Sequence, residues 1–264
     1  MTLAELPSQR PADGVFRPDQ AATLLESDRE HWWFDCKARI VSAVLADVLP
    51  SGLRGPLVDV GAGAAGVTAR LRWPYGPSIG IEGAAASAAE GRRRHGLALL
   101  AGTVDNLPLH AGTAAVVTLL DVIEHLEDPV PALLEARRVL MPGGVVLVTA
   151  PAHAWLWSEA DRFLGHHRRY TRQMVRRDLE RAGFQVLFAT HMFSWLVLPV
   201  LLQRRLARST EQQLGLQATS PALASIASRL SGAESRVLRH VRLPAGTSVL
   251  AVGHVPGAER IEAL

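Results

Sequence analysis

Short apolar runs alternate along this chain with longer stretches of helical periodicity. After a Gly/Pro break at 53–56, β-branched and apolar runs stand at 57–60, 78–81, 97–101, 114–120 and 145–150. Between them, apolar positions recur at helical spacing over 66–72, 84–94 and 129–140. Strands of this kind separated by such helices predict a parallel sheet covered on both faces. The stretch 171–184 predicts a further amphipathic helix stopped at Gly183, with a strand following from Phe184. A last strand is predicted at 247–253, after a helical insertion at roughly 195–242. Upstream, residues 18–49 read as helical with an interruption at 31–35, and residues 1–17 read as loose. The simplest division is an N-terminal tail and helical lid over 1–52, one α/β domain over 53–255 that includes a helical cap at about 192–243, and a C-terminal tail over 256–264.

Composition narrows the class. The chain has 264 residues, 48% of them hydrophobic and 20% charged, which predicts a globular protein with a sizeable core. Its longest strongly apolar run, 192–202, is shorter than the roughly 20 residues that a bilayer requires. The N-terminal residues show no basic segment leading into an apolar one, so no secretory leader is expected. Cys36 is the only cysteine, which excludes an intrachain disulfide and fits a reducing compartment; a cytoplasmic location is the expectation. Net charge is +3 and Lys37 is the only lysine. The arginine clusters, such as 91–96, lack interleaved aromatics and read as a solvated basic surface rather than a nucleic-acid face.

Chemistry enters at "LVDVGAGAAG", residues 57–66. Gly61, Gly63 and Gly66 fit the dinucleotide pattern GxGxxG, which alone is a weak signal. Asp59, two residues before the first glycine, fits a turn that holds S-adenosylmethionine, whose ammonium and sulfonium a carboxylate would balance. Glu82 ends the second strand, where a carboxylate accepts ribose hydroxyls of either cofactor. An NAD(P)-dependent oxidoreductase and a non-catalytic cofactor-binding scaffold are the two alternatives to a methyl-transferring enzyme. A short-chain dehydrogenase would need a Tyr-x-x-x-Lys pair; after Tyr170 that position is Met174, and Lys37 lies upstream of the nucleotide fold.

The block "LLDVIEHLEDPVPALLEARRVLMPGGVVLVTAP" (119–151), taken with "DVGAGAAG" and "DNLPL" (105–109), resembles the class I S-adenosylmethionine-dependent methyltransferases. More narrowly it is similar to the small-molecule type 11 and type 12 groups. The resemblance extends over roughly 29–255. "HWWFDCKARI" (31–40) and "LWSEADRFLGHHRRYT" (156–171) are similar to blocks of one bacterial subgroup. It implies a Rossmann-like, seven-stranded, mostly parallel sheet with an antiparallel last strand, and S-adenosylmethionine as cofactor with S-adenosylhomocysteine as product. It implies cofactor contacts from Asp59, Gly61, Ala62, Gly63, Glu82, Gly83, Thr103, Val104, Leu120 and Asp121, with Trp33 and Lys37 contributed by the lid. Two positions depart from the family pattern. Ala65 stands where a glycine is usual, with Gly66 next to it to relieve the turn. Thr103 stands where an aspartate often contacts adenine, leaving its hydroxyl and the Val104 amide for that role.

The acceptor side is less defined. Lys37 has two readings, a solvated surface lysine or the partner of the methionine carboxylate. Trp32, Trp33 and Phe34 either staple the first helices or roof the cofactor, with Trp32 reaching the acceptor. His125 follows the fourth strand, and its ordinary pKa near 6.5 suits a general base; the alternative is a histidine hydrogen-bonded within its loop. Glu124 reads as a helix-start carboxylate. In "GHHRRY" (165–170), His166 and Tyr170 are the other candidate bases, and His167, Arg168 and Arg169 are candidate acceptor contacts. The competing use of those arginines is to anchor the loop to Glu159 and Asp161. No metal is expected, because adjacent histidines do not readily share one ion and no third ligand stands out. The 192–243 segment has three uses to choose among: a cap over a hydrophobic acceptor, a dimer interface, or a peripheral membrane contact. Monomer and homodimer both remain open, and the expected partner is a small-molecule acceptor.

Overall fold

The computed structural model describes residues 32–206 and 220–257. The tails at 1–31 and 258–264, and the part of the expected cap at 207–219, lie outside the described residues.

Seven strands form one sheet in the order β3-β2-β1-β4-β5-β7-β6. They are β1 (Leu57–Val60), β2 (Ser78–Glu82), β3 (Ala98–Ala101), β4 (Ala114–Leu120), β5 (Leu140–Pro151), β6 (Gln185–Met192) and β7 (Ser248–His254). The first five run parallel, and β7 inserts antiparallel between β5 and β6. This is the Rossmann-like mixed sheet that the sequence predicts. Central strands β1 and β4 are buried on both faces, which is why they read as continuous apolar runs rather than alternating ones. β1 pairs with β2 on one side and β4 on the other, so strand order reverses between β1 and β4. The crevice at the carboxyl ends of those strands is where open α/β sheets bind ligands.

The helices are α1 (Trp32–Val48), α2 (Ala85–His95), α3 (Val130–Val139), α4 (Glu159–Phe163), α5 (Arg172–Arg181), α6 (Val197–Leu206) and α7 (Pro221–Val237). α3 and α5 pack on one sheet face around Leu133, Ala136, Val175 and Leu179. On the other face, α1 buries Ile40, Val41, Val44 and Leu45 at helical spacing, alongside Ala227 of α7. Helix ends follow local chemistry. Thr171 caps α5 by accepting the Met174 amide hydrogen at 3.2 Å, and Gly96 closes α2 in the left-handed region, φ 64°. Leu223, Ile226 and Leu230 of α7 and Leu198 and Leu202 of α6 are exposed. Among the described residues no helix is long and apolar enough to cross a membrane.

The connection from β1 to β2 departs from expectation. Periodicity predicts a helix at 66–72, but the chain makes one 3₁₀ turn over Thr68–Arg70 and then extends from Leu71. Pro74 and Pro77 stop the helix. Gly76 then passes so near Gly55 that an added Cβ would lie 2.3 Å from the Gly55 carbonyl oxygen. The Trp73 indole N–H, donating to that carbonyl at 3.0 Å, fixes the short return.

Candidate functional site

The glycine turn leaves β1 and is held by β2. Gly61 and Ala62 amides donate to the Ile81 carbonyl at 2.9 and 3.1 Å. Glu82 then accepts the Gly63 and Ala84 amide hydrogens, each at 2.7 Å, so its carboxylate is fixed in place with lone pairs remaining on both oxygens. A Cβ built on Gly61 would meet Val122 at 2.7 Å, whereas one on Gly63 would meet nothing within 4 Å. The turn is therefore packed beneath and open above. Ala65 takes the left-handed conformation, φ 63°, and Gly66 does not relieve it, contrary to expectation. A non-glycine residue there stores of order 1 kcal/mol.

Asp59 is buried beside this turn and accepts the hydroxyls of Thr68 and of Thr118, the latter at 2.6 Å. Burial raises its pKa to about 6 against the opposing pull of the two hydroxyls and Lys37. Neither threonine stood out in the sequence. Thr118 is visible only through register, as the β4 residue opposite Asp59.

Lys37 is not a surface lysine. It is 2% exposed, pairs with Asp121, and sits 5.1 Å from the Trp33 ring centroid. Asp121 follows β4 in the left-handed region, φ 59°, and accepts the Thr149 hydroxyl at 2.9 Å. Burial works to raise its pKa, but the Lys37 charge and hydrogen bond, with Thr149, outweigh that and hold it below the ordinary range. Trp33 lies 4.2 Å from Phe193 and Trp32 lies 5.7 Å from Trp195, ring centroid to centroid. These aromatics join the start of α1 to the turn after β6. Leu120 ends β4, Gly83 follows Glu82, and Thr103 and Val104 stand in the turn after β3, where the Thr103 carbonyl accepts the Asn106 amide at 3.3 Å.

The loops after β4 and β5 are stitched together. The His167 amide donates to the Glu124 carbonyl at 2.7 Å, the Tyr170 hydroxyl donates to the Ile123 carbonyl at 3.1 Å, and Arg168 donates to the Glu127 carbonyl. Tyr170 is fully buried, and burial pushes its phenol well above the usual range. It holds the neighbouring loop and is not placed as a base, which corrects the sequence expectation. Arg169 is likewise an anchor and not an acceptor contact: it binds Asp161 and the Ala152 carbonyl. Glu159 pairs with Arg162 instead. Asp161 also accepts His166 Nδ1 at 2.9 Å and the Ser158 amide at 2.8 Å.

His125 and His166 do converge, with ring centroids 4.7 Å apart. The ordinary-pKa argument for His125 as a base fails, however. Burial, then the proximity of His166, lower its pKa to about 3, so the ring is neutral and weakly basic. Glu124 stands next to them, fully buried, with burial and then the Asp121 charge pushing its carboxyl well above the ordinary range. One ligand atom from each of Glu124, His125 and His166 falls within 4.8 Å of the others. Two of these three groups, Glu124 and His125, come from the loop after β4, and His166 comes from the segment after α4.

These donors fit the cofactor expected. Asp59 and Glu82 flank the turn, and Asp121 pairs with Lys37 just after β4, a set suited to a ligand with cationic centres and vicinal hydroxyls. They suit a pyrophosphate poorly, since the 3₁₀ turn after Gly66 supplies no α-helix N-terminus.

Comparison with known proteins agrees. The family described as a methyltransferase domain matches residues 58–148. An uncharacterized 37.1 kDa protein in transposon TN4556 of Streptomyces fradiae is 30% identical over 219 residues, 77% of this chain and 62% of that protein. The dimethylglycine N-methyltransferase of Parasynechococcus marenigrum is 35% identical over 148 residues, 52% of this chain and 48% of the enzyme. The chain thus spans less than two thirds of either relative's length. Among solved structures, geranyl diphosphate methyltransferase in complex with S-adenosylmethionine shares the fold, with a TM-score of 0.56 at 17% identity over 81% of this chain and 84% of that one. The glycine turn, its carboxylates and the match over 58–148 together place a class I, type 11 S-adenosylmethionine-dependent methyltransferase domain in this chain.

Proposed function

We propose that this chain transfers a methyl group from S-adenosylmethionine to an oxygen, nitrogen or carbon atom of a small hydrophobic acceptor. The observation that carries the reading is the charge set at the carboxyl edge of β1, β2 and β4. There Asp59 and Glu82 stand beside an open glycine turn, and Asp121 pairs with the buried Lys37. Glu82 holds the ribose hydroxyls, Asp59 supplies negative charge beside the turn, and Asp121 and Lys37 divide the ammonium and carboxylate of the amino-acid end. Thr103 and the Val104 amide face the adenine. When bound, the cofactor supplies an activated methyl group on a cationic sulfur.

The chain's own work is then positional: to align the acceptor atom and keep water out. Trp32, Trp33, Phe193 and Trp195 supply an aromatic wall suited to an apolar acceptor. His125 and His166, with ring centroids 4.7 Å apart, face the acceptor from the loops after β4 and β5. Dimethylglycine and geranyl diphosphate are the small molecules that the names of one relative and one solved structure carry, and of these the geranyl chain is the apolar one.

Methyl-labelled S-adenosylmethionine, incubated with the purified protein and a cell extract and then partitioned, tests the reading. Label in the organic phase is expected. Label confined to water-soluble material overturns the hydrophobic acceptor. Thermal stabilisation by NAD and none by S-adenosylhomocysteine overturns the cofactor assignment.

A further inference from the structure

We propose that Glu124, His125 and His166 hold one divalent first-row transition-metal ion, with Asp161 orienting His166, and that coordination positions left open on the ion take an oxygen donor of the acceptor. The role given to the acceptor rests on the functional reading above; the binding of the ion does not.

Two independent observations converge. The three residues bring one ligand atom each within 4.8 Å of the others. Ligand atoms around an ion at about 2.1 Å stand roughly 3–4 Å apart, so small side-chain rotations close the set. Separately, the Glu124 carboxyl has no solvent exposure, and neither of its oxygens has a hydrogen-bond partner. A buried polar group left in that state is costly, and native structures complete such groups with protein, water or an ion. The His125 and His166 rings, 4.7 Å apart, stand where a cation would satisfy the carboxylate.

The surroundings are those of a built site. His166 Nδ1 faces Asp161 Oδ1 at 2.9 Å, which leaves Nε2 as the ligand atom. A carboxylate behind a ligating imidazole fixes its tautomer and ring orientation. Asp161 is itself locked by Arg169 and by the Ser158 amide. On the opposite side, the Tyr170 hydroxyl and the His167 amide hold the Ile123 and Glu124 carbonyls, so the loop carrying Glu124 and His125 is set by contacts that need no ion. Two imidazoles and one carboxylate favour zinc, iron or cobalt over magnesium or calcium, and such three-ligand sets leave positions open for water or substrate.

The test is calorimetric titration of the metal-free protein with zinc chloride, with cobalt chloride and visible absorption as a second probe. One ion per chain is expected. Glu124→Gln and His166→Ala should each weaken zinc binding by at least about 100-fold, and Asp161→Asn by roughly 10–100-fold. S-adenosylhomocysteine affinity on the same samples reports the fold and the cofactor turn separately. A wild-type protein that binds no zinc, or zinc affinity unchanged in Glu124→Gln and His166→Ala, overturns the site whether or not methyl transfer is observed. Stoichiometric binding lost in both variants upholds it even if no extract component is methylated.

Discussion

Arg169 donates two hydrogen bonds to Asp161, at 2.8 and 3.0 Å, and both side chains are almost completely buried. The pair ties the connection between α4 and α5 back to α4, and removing one partner strands the other's charge. Arg169→Ala should therefore lower stability by about 3–5 kcal/mol, read by urea unfolding, while folded protein keeps its S-adenosylhomocysteine affinity. Unchanged stability would remove Arg169 from this anchoring role.

The same pair sets an acid limit. Burial would raise the Asp161 pKa, but hydrogen bonds from His166 and Arg169 prevail and hold it well below the ordinary range. A carboxyl depressed in the folded state contributes stability above its unfolded pKa, near 3.9, and loses it as pH falls further. Unfolding free energy should thus drop on acidification from pH 4 downward, and more steeply in the wild type than in Asp161→Asn. Identical slopes would show that another group governs acid unfolding.

How far the sequence carried this picture depended on whether a feature was local or long-range. Asp59, the glycines and Glu82 were legible because a strand end and its turn are adjacent in sequence. The antiparallel strand at 247–253 was legible only through family resemblance, since periodicity carries no strand direction. The helix at 66–72 failed because Pro74, Pro77 and the tight pass of Gly76 over Gly55 shorten the connection. Tyr170 looked like a base because its hydroxyl is chemically able; its partner, the Ile123 carbonyl, is brought in by sheet order. Glu124 reads as a helix-start carboxylate for the same reason, because its neighbour His166 belongs to another loop.

Asp59 gives two pH trends of opposite sign. Its folded pKa is raised to about 6, so the folded apo-protein holds that proton more tightly than the unfolded chain does. Its contribution makes apo-protein stability fall as pH rises between about 4 and 6. Affinity for the cationic cofactor should instead rise through that window, as the carboxylate forms. Asp59→Asn should flatten both trends. A cofactor affinity that stays level from pH 5 to 7 in the wild type would separate Asp59 from the cofactor's charge.

Lys37 separates the two ends of the ligand. Buried against Asp121 and the Trp33 face, it is assigned to the amino-acid carboxylate. Lys37→Met keeps most of the apolar stem and removes the charge. S-adenosylhomocysteine binding should fall by roughly 10–100-fold, as for loss of a hydrogen bond to a charged group. Methylthioadenosine, which lacks the amino-acid end, should bind as before. Equal losses for both ligands would mean that Lys37 supports the fold of the cleft rather than the carboxylate.

Tyr170 is the residue for which the sequence reading and the structure make opposite predictions. A catalytic phenol would sit near solvent with a lowered pKa; this one is fully buried, raised, and donates to the Ile123 carbonyl at 3.1 Å. Tyr170→Phe keeps the ring and removes one of two hydrogen bonds to the Ile123 carbonyl, which retains the Leu126 amide at 3.3 Å, a cost of about 0.5–1.5 kcal/mol. As a positioning residue it acts through Glu124 and His125. The variant should therefore melt lower and turn over more slowly while keeping the shape of its pH–rate profile. A base would behave differently: turnover would collapse with little change in melting temperature, and the alkaline limb of the profile would change. The first pattern keeps Tyr170 in the scaffold behind the β4 loop, and the second puts it back among the reacting groups.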